Sequence, residues 1–181
     1  PKNRRILAAT LLAVIGIAAT SAVETPLRLI WNATASAPVG FYTIEPADRI
    51  EVPELVVVMP PEPLAGFMVG RGYVGRSVPL LKRVVGLPGQ RVCRTGRTIT
   101  VDGVAMGDAL DRDRIGRDLP VWQGCRVIAD GQFFLMNGQA PDSLDGRYFG
   151  PIPASSVIGR ALPLWTDEEG DGRFVWRAPT H

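Results

Sequence analysis

Residues 78–90 read VPLLKRVVGLPGQ, and this pattern indicates the architecture of the surrounding chain. The run up to Gly86 is apolar and carries one internal lysine, Lys82, so it is typical of a β-strand. Pro88 and Gly89 then occupy the two central positions of a type II turn. A strand that ends in a tight turn favours a fold built from short strands over a helical bundle.

Short strands and turns are predicted on both sides of this run. The dipeptide Asp102-Gly103 lies between Thr98–Val101 and Val104, which is a strong hairpin signal. Further strands are predicted at residues 39–44, 55–59, 121–128 and 132–136. The chain holds 20 glycines and 16 prolines among its 181 residues, and the predicted fold class is therefore mostly β. Residues 108–118 alternate in charge and are predicted to be a solvated surface excursion.

The N-terminal part of the chain is an uncharged run of 18 residues, Ile6–Val23, behind a basic flank. A helix of that length is just long enough to cross a bilayer, which takes about 20 residues, and its basic flank should stay in the cytoplasm. The small residues 20–22 also fit the cleavage site of a signal peptide, and a buried soluble helix is a third interpretation. We therefore divide the chain into a membrane anchor or signal segment, residues 1–23, and a β domain outside the cytoplasm, residues 24–181.

The two cysteines, Cys93 and Cys125, fit a domain outside the cytoplasm. Two cysteines in an exported domain often pair, so we predict a disulfide between them. Two buried free thiols are the alternative. Their spacing is neither that of a CxxC redox pair nor that of half a zinc site.

The composition argues against several classes of function. The net charge is +2 and no basic stripe with interleaved aromatic residues is present, so binding of nucleic acid is not expected. The single histidine, His181, is the last residue of the sequence. A Ser-His-Asp triad and a histidine-ligated zinc site are therefore not expected, and the sequence suggests no metal and no cofactor.

Residues 32–42 read NATASAPVGFY and place Ser36 among small residues, just before a proline and a glycine. A serine hydroxyl is a weak nucleophile that needs a base, and without a usable histidine the leading candidate is a neutral lysine amine. Lys82 is one of only two lysines in the chain. Its apolar neighbours would desolvate the amine and lower its pKa, as a general base requires.

Each of these residues also has an ordinary interpretation. A serine near proline and glycine is usually a turn residue, and a lysine in a strand can pack its stem while its amine reaches solvent. Asp145 and Arg147 would on the same view form a surface ion pair.

Three blocks of the sequence resemble the type I signal peptidase family of Ser-Lys serine peptidases. Residues 32–42 resemble the nucleophile block of its TraF branch, the peptidases of conjugative plasmid transfer. Residues 81–89, LKRVVGLPG, resemble the lysine block and are the most specific of the three. Residues 143–153, SLDGRYFGPIP, resemble the C-terminal block. With the N-terminal segment, the resemblance covers the chain from residue 2 to about residue 160.

The resemblance implies a role for each matched residue. Ser36 would be the nucleophile and Lys82 the general base. Asp145 would support and orient the site, with Arg147 as its structural partner. The backbone N–H of Ser36 and the hydroxyl of Thr34, two residues before it, would form the oxyanion hole.

The chain departs from the family pattern at three points. Gly146 replaces the serine of the common Asp-Ser-Arg form, and Gln90 replaces an acidic residue that often closes the lysine block. The Ser-x-Pro spacing that begins at Ser36 differs from the Ser-Met-x-Pro of housekeeping signal peptidases. This last departure favours the TraF branch over general preprotein processing.

The resemblance further implies a signal-peptidase-like β domain behind one N-terminal transmembrane helix, with the catalytic domain in the periplasm at the surface of a bacterial inner membrane. Its partners would be membrane lipid, a pilin precursor or another preprotein with small residues before the scissile bond, and other conjugative-transfer proteins. In some members of the branch the pilin's own amine resolves the acyl-enzyme, which gives a cyclic product. A general type I signal peptidase and a non-catalytic envelope scaffold of a transfer apparatus are the alternatives.

Overall fold

The computed structural model describes residues 2–21 and 27–179. Within these residues the helices are α1 (Lys2–Ser21), α2 (Leu64–Gly70) and α3 (Gly146–Phe149). The strands are β1 (Leu29–Asn32), β2 (Val39–Glu45), β3 (Leu55–Val58), β4 (Leu80–Gly86), β5 (Arg91–Thr95), β6 (Thr98–Val101), β7 (Val104–Asp108), β8 (Gly124–Val127), β9 (Gln132–Leu135), β10 (Ile152–Pro153), β11 (Val157–Asp167) and β12 (Val175–Trp176). The regular structure after α1 is mainly strand, so the predicted mostly β fold class is confirmed.

The strands of the described residues form two antiparallel sheets. The larger sheet has eight strands in the order β1-β2-β11-β3-β4-β9-β10, with β12 paired to β11. The smaller sheet has four strands in the order β7-β6-β5-β8. The predicted hairpin is β6–β7, and Asp102 and Gly103 lie at its turn with positive φ. The predicted turn after β4 is also present, and Gly89 has a φ of 86° there, as the third position of a type II turn requires.

Strands β3 and β4 lie in the middle of the larger sheet. All four residues of β3, LVVV, are buried, which is typical of a strand covered on both faces. Strand β4 reads LLKRVVG, and its Lys82 pairs with Val56 of β3. Side chains of both strands belong to the hydrophobic core, so Lys82 places an amine inside a mainly apolar sheet.

The smaller sheet contains the disulfide that was predicted between Cys93 and Cys125. The two residues lie directly opposite each other on β5 and β8, and their sulfur atoms are 2.04 Å apart. The core of this sheet includes Ile99 and Trp122, which belong to one buried cluster with Phe134 of β9. This shared core packs the smaller sheet against the larger one.

The N-terminal run forms helix α1, and its side chains at residues 6–15 are exposed. In the two described ranges, no helix is long and apolar enough to cross a membrane. The end of the predicted run, residues 22–23, and the start of the predicted β domain, residues 24–26, lie outside the described residues. The transmembrane segment and the division of the chain after residue 23 stay predictions.

Helix α2 and strand β11 were not predicted from the sequence. Strand β11 pairs with β2, β3 and β12, so it joins the two halves of the larger sheet. Gly159 and Pro163 interrupt its pattern, and both residue types usually indicate a loop. Here a Cβ at Gly159 would lie 2.5 Å from the backbone oxygen of Glu45, and the register shifts just after Pro163. The two residues therefore mark a close approach and a bulge inside a strand.

Candidate active site

Ser36 lies in the loop between β1 and β2. These strands form a hairpin in which Asn32 is opposite Gly40, and residues 33–38 form the loop between them. At Gly40 the φ is +150°, and a Cβ would lie 2.2 Å from the backbone oxygen of Trp165 on β11. Only glycine fits this position, and the base of the loop therefore packs directly on β11.

The Ser36 side chain is half-buried, and its Oγ lies 3.3 Å from Oγ1 of Thr34. Asn32 accepts a hydrogen bond from the Thr34 hydroxyl, and the Tyr42 hydroxyl donates to the carbonyl of Pro38 at 2.7 Å. Burial raises the pKa of Tyr42, so its hydroxyl stays a donor at neutral pH. The predicted nucleophile and the predicted oxyanion-hole hydroxyl thus lie side by side in a braced loop.

Lys82 is buried on β4, with only 6% of the residue exposed. Its Nζ donates a hydrogen bond to Oγ of Ser143 at 2.6 Å. Burial lowers the pKa of Lys82 to about 8, while the carboxylate of Asp145 opposes this shift and Arg147 adds to it. The interpretation of an amine that reaches solvent is therefore wrong. An amine with this pKa is partly neutral near pH 7 to 8, as a general base requires.

Asp145 and Arg147 form a buried ion pair, not the surface pair of the ordinary interpretation. Their side chains are 0% and 1% exposed, and Nη2 of Arg147 lies 2.8 Å from Oδ2 of Asp145. Nε of Arg147 also donates to Oδ1 at 2.9 Å, which makes the pair bidentate. The backbone N–H groups of Arg147 and Asn137 donate to the same carboxylate. With its oxygens bonded in this way, Asp145 is suited to a structural role.

The remaining donors of Arg147 hold the segment that precedes it in the chain. Its Nη1 and Nη2 atoms donate, at 2.6–3.4 Å, to the backbone carbonyls of Asp108, Asn137, Ala140, Pro141 and Ser143. One guanidinium group thereby binds the backbone of residues 137–145 at several points, and we call these residues the clamped segment. Because the clamped segment contains Ser143, the hydrogen bonds of Arg147 also fix the position of the hydroxyl that binds the Lys82 amine.

Asn137 and Ser143 are parts of the site that sequence analysis did not predict. The Asn137 side chain donates to the carbonyl of Leu81 at 3.0 Å and accepts from the N–H of Arg83 at 3.0 Å. It therefore fastens the clamped segment to the backbone on both sides of Lys82. In the sequence, Asn137 precedes a glycine and indicates only a turn, whereas Ser143 opens the C-terminal block and offered a usable signal.

Ser36 and Lys82 line one cleft of about 660 Å³. Thr34 and Ser143 line the same cleft, and the buried ion pair supports it from within the protein. In this structure the two predicted catalytic groups bond to different hydroxyls, Ser36 to Thr34 and Lys82 to Ser143. The cleft therefore brings together a serine hydroxyl and a buried amine, each held by a neighbouring hydroxyl.

The charged segment at residues 108–118 forms another wall of this cleft, through Asp113, Arg114 and Arg117 among others. Nε of Arg117 donates to Asp113 at 2.7 Å, and Arg114 pairs with Asp142 on the clamped segment. Most residues of the segment are exposed, as predicted, but Ala109 is buried, and the position of the segment at the cleft was not expected. Alternation of charge indicates exposure and carries no information about which part of the fold a segment covers.

Two of the departures from the family pattern have local explanations. A Cβ at Gly146 would lie 2.6 Å from Cε2 of Phe134 and 2.7 Å from a backbone oxygen, so serine does not fit here. Gln90 accepts from the N–H of Leu87 and donates to Asp102, both at 2.8 Å. It therefore stabilises the turn after β4 and ties that turn to the β6–β7 hairpin.

Comparison with known families gives a match over most of the chain. The profile of the family described as "Signal peptidase, peptidase S26" matches residues 3–165. The conjugal transfer protein TraF of Agrobacterium fabrum is 37% identical over 145 residues, which cover 75% of this chain and 81% of that protein. The conjugal transfer protein TraF of Agrobacterium tumefaciens is 33% identical over 176 residues, which cover 91% of this chain and 98% of that protein.

A comparison with solved structures gives a crystal structure of a signal peptidase I from Enterococcus faecalis. The superposition has a TM-score of 0.38 at 18% sequence identity. It covers 62% of this chain and 97% of that chain.

Proposed function

The chain belongs to the signal peptidase family, peptidase S26, and we propose that it is a serine endopeptidase in which Ser36 is the nucleophile and Lys82 the general base. The observation that carries the proposal is the buried Lys82 amine on the cleft that Ser36 also lines. Burying an amine in an apolar sheet costs free energy, and a buried group with a shifted pKa at a cleft is typical of a functional site.

The first half of the proposed reaction forms an ester between the substrate and Ser36. The neutral amine of Lys82 takes the proton of the Ser36 hydroxyl while Oγ attacks the carbonyl carbon of the scissile peptide bond. The backbone N–H of Ser36 and the hydroxyl of Thr34 stabilise the negative charge on the carbonyl oxygen. When the C–N bond breaks, the Lys82 ammonium gives its proton to the leaving amine.

The second half releases the acyl group. Water, or an amine of the substrate itself, attacks the ester carbonyl and gives a proton to Lys82. The bond between the carbonyl carbon and Oγ of Ser36 breaks, and Oγ takes the proton back from the ammonium. Water gives a cleaved chain, whereas an internal amine gives a cyclic one.

The substrate that we propose is an exported precursor, in the first place a pilin precursor of a conjugative transfer system. The support is the similarity to proteins named for conjugal transfer, over three quarters of this chain or more. We place the catalytic part in the periplasm at the bacterial inner membrane. The disulfide between Cys93 and Cys125 fits an oxidising compartment, and helix α1 exposes apolar side chains that suit a lipid environment.

The decisive experiment treats the purified full chain with a serine-directed acylating probe of the penem class and follows the intact mass. We expect one adduct, located on Ser36 by peptide mapping, and none in Ser36→Ala. Ser155, an exposed serine in the short 3-10 turn at Ala154–Ser156, provides the matched control, and Ser155→Ala should react like the wild type.

The outcomes separate the proposed enzyme from its alternatives. A non-catalytic envelope scaffold predicts that the folded wild-type chain gains no adduct. Digestion of a mixture of exported precursors then tests the substrate class. Cleavage restricted to a pilin precursor supports the proposal, whereas cleavage of many unrelated precursors identifies a general signal peptidase.

A further inference from the structure

Asn32 is the last residue of β1, and its side chain enters the loop that carries Ser36. It is only 9% exposed although it lies at the base of a surface loop. Its backbone pairs with Gly40, so the carboxamide lies where the two ends of the loop meet. Asn32 belongs to the nucleophile block, but neither the proposed reaction nor the sequence pattern gives it a role.

The nitrogen of the Asn32 carboxamide contacts three backbone carbonyls of the loop. Nδ2 lies 2.8 Å from the oxygen of Thr34, 3.0 Å from that of Ala37 and 3.0 Å from that of Pro38. These acceptors lie before and after Ser36 in the sequence, so one side chain binds the backbone on both sides of Ser36. Because only a donor can face three carbonyl oxygens, the carboxamide has one possible orientation, with Oδ1 toward Thr34.

The oxygen of the carboxamide accepts a hydrogen bond from the Thr34 hydroxyl. Oδ1 of Asn32 accepts from the backbone N–H of Thr34 at 3.2 Å and from its Oγ1 at 2.9 Å. A threonine hydroxyl has a single proton, so in this state Oγ1 of Thr34 can only accept from its other neighbour. That neighbour is Oγ of Ser36 at 3.3 Å, and the Ser36 hydroxyl is therefore the donor of this pair.

We propose that Asn32 is a positioning residue of the reaction, which fixes the loop around Ser36 and directs the Ser36 hydroxyl toward Thr34 in the resting enzyme. The inference rests on the proposed function, because it concerns the same serine. When a substrate binds, the Thr34 hydroxyl turns from Asn32 to the carbonyl oxygen of the scissile bond. Ser36 then loses its acceptor and becomes free to give its proton to Lys82.

The first test substitutes Asn32 by alanine and measures acylation by the penem probe and hydrogen exchange of the loop amides. We expect acylation to slow about 10²-fold, because a small displacement of a nucleophile has effects of this size. The amides of residues 33–37 should exchange faster, whereas those of β4 should not change. The acid limb of the pH–rate profile should stay in place, since Lys82 is untouched.

The matched control is Thr43→Val on β2. The Thr43 hydroxyl donates to the carbonyl of Leu162 at 3.5 Å, on the same hairpin but outside the loop. This variant should acylate and exchange like the wild type. A loss of rate in both variants would identify a general effect on the hairpin and overturn the special role of Asn32.

A double-substitution cycle with Thr34→Val tests the direction of the hydroxyl bonds. If Asn32 acts largely through Thr34, the acylation rate of the double variant should fall by a factor much smaller than the product of the factors for the two single variants. Independent losses that multiply would contradict the proposal. So would an Asn32→Ala protein that acylates at the wild-type rate.

The two proposals fail in different ways. A folded wild-type chain that gains no adduct on Ser36 overturns the proposed function. Hydrogen exchange in Asn32→Ala still decides whether Asn32 fixes the loop, because that measurement needs no activity. Unchanged exchange at residues 33–37 overturns the role of Asn32, even in an enzyme that acylates normally.

Discussion

The two sides of the candidate site are held together by different kinds of contact. The loop with Ser36 is braced by Asn32 and Tyr42, whose partners lie two to six residues away in the sequence. Lys82 and its two neighbours on β4 bond to Ser143 and Asn137, which lie 54 to 61 residues further along the chain. The hydrogen bonds around the proposed nucleophile are thus local, whereas those around the proposed base join distant parts of the chain.

This difference matches what each group must do. A serine nucleophile has to meet a substrate, and Ser36 is half-buried at a loop. A lysine base has to lose its proton near neutral pH, which requires removal from water, and only a packed core provides that around Lys82. We therefore expect substitutions on the base side to affect both stability and proton transfer, and those on the nucleophile side to affect mainly the reaction.

Lys82→Met carries the largest expected effect. It removes the amine at a similar volume and adds no charge, so cleavage and acylation should fall to near background in a folded protein. Lys82→Arg should be equally inactive, because a guanidinium stays protonated at any working pH. Circular dichroism must first show that each variant is folded. A folded Lys82→Met protein that cleaves its substrate at the wild-type rate would contradict the proposal that Lys82 is the general base for Ser36.

The stability of Lys82→Met tests the burial of the amine independently of activity. Lowering the Lys82 pKa from 10.5 to about 8 costs the wild type about 3 kcal/mol at pH 7. Since the unfolded chain binds the proton more tightly, wild-type stability should rise as the pH increases from 8 to 10.5. At pH 7, Lys82→Met should be more stable than the wild type in urea unfolding, by this cost less the free energy of its lost hydrogen bond to Ser143. This difference in stability should shrink as the pH increases from 8 to 10.5. An advantage that is constant with pH would contradict the shifted pKa.

Asp145→Ala has the next largest expected effect, and it acts on the base side. It leaves the buried Arg147 without its carboxylate, and breaking a buried pair in this way costs about 3–5 kcal/mol in the free energy of unfolding. Activity should fall as well, because Arg147 positions the segment with Ser143. Glu51→Ala breaks an exposed pair with Arg49 and should cost less than about 1 kcal/mol. If urea unfolding gave equal costs for the two variants, the buried pair would stabilise the fold no more than the exposed pair does.

Thr34→Val tests the nucleophile side. It deletes a hydroxyl proposed for the oxyanion hole, and loss of such a donor typically lowers the rate by about 10²–10³. The melting temperature should change little, because Thr34 is exposed. Thr34→Ser keeps the hydroxyl and should retain most of the activity. A Thr34→Val protein with the wild-type acylation rate would show that Thr34 only supports the loop.

Ser143→Ala carries the smallest expected effect and should change the pH dependence most clearly. Its hydroxyl accepts a hydrogen bond from the Lys82 ammonium, which favours the charged form. Removing this acceptor should lower the pKa of Lys82 below its present value of about 8. The acid limb of the pH–rate profile should therefore move to lower pH, while the maximal rate falls because the amine is held less firmly. A limb that moves to higher pH, or stays in place, would contradict this role.

The same contrast explains how much of the site could be predicted from the sequence. Ser36 and Thr34 lie in one short block, and the local pattern is enough to place them side by side. Lys82 was recognised by its apolar neighbours, but its contact with Ser143 joins residues 61 positions apart. No local pattern reports such a contact. Asn137 was missed for the same reason, since an Asn-Gly pair indicates a turn whether or not its side chain reaches a neighbouring strand.

The fold shows the same limit. The central strands and the β6–β7 hairpin were predicted because β-branched runs and an Asp-Gly turn are local signals. Strand β11 was missed because its glycine and proline are explained only by the neighbours that approach them. The N-terminal helix was predicted from its composition alone, which carries no tertiary information.

The contact between Gly146 and Phe134 has a consequence for the history of the family. Serine at position 146 and a phenylalanine at position 134 compete for the same space. Relatives that carry serine at the first position should therefore combine a smaller side chain at the second with a shifted backbone at position 135. In the laboratory, Phe134→Ala should relieve only part of the destabilisation caused by Gly146→Ser, because the added Cβ also lies 2.7 Å from the backbone oxygen of Leu135.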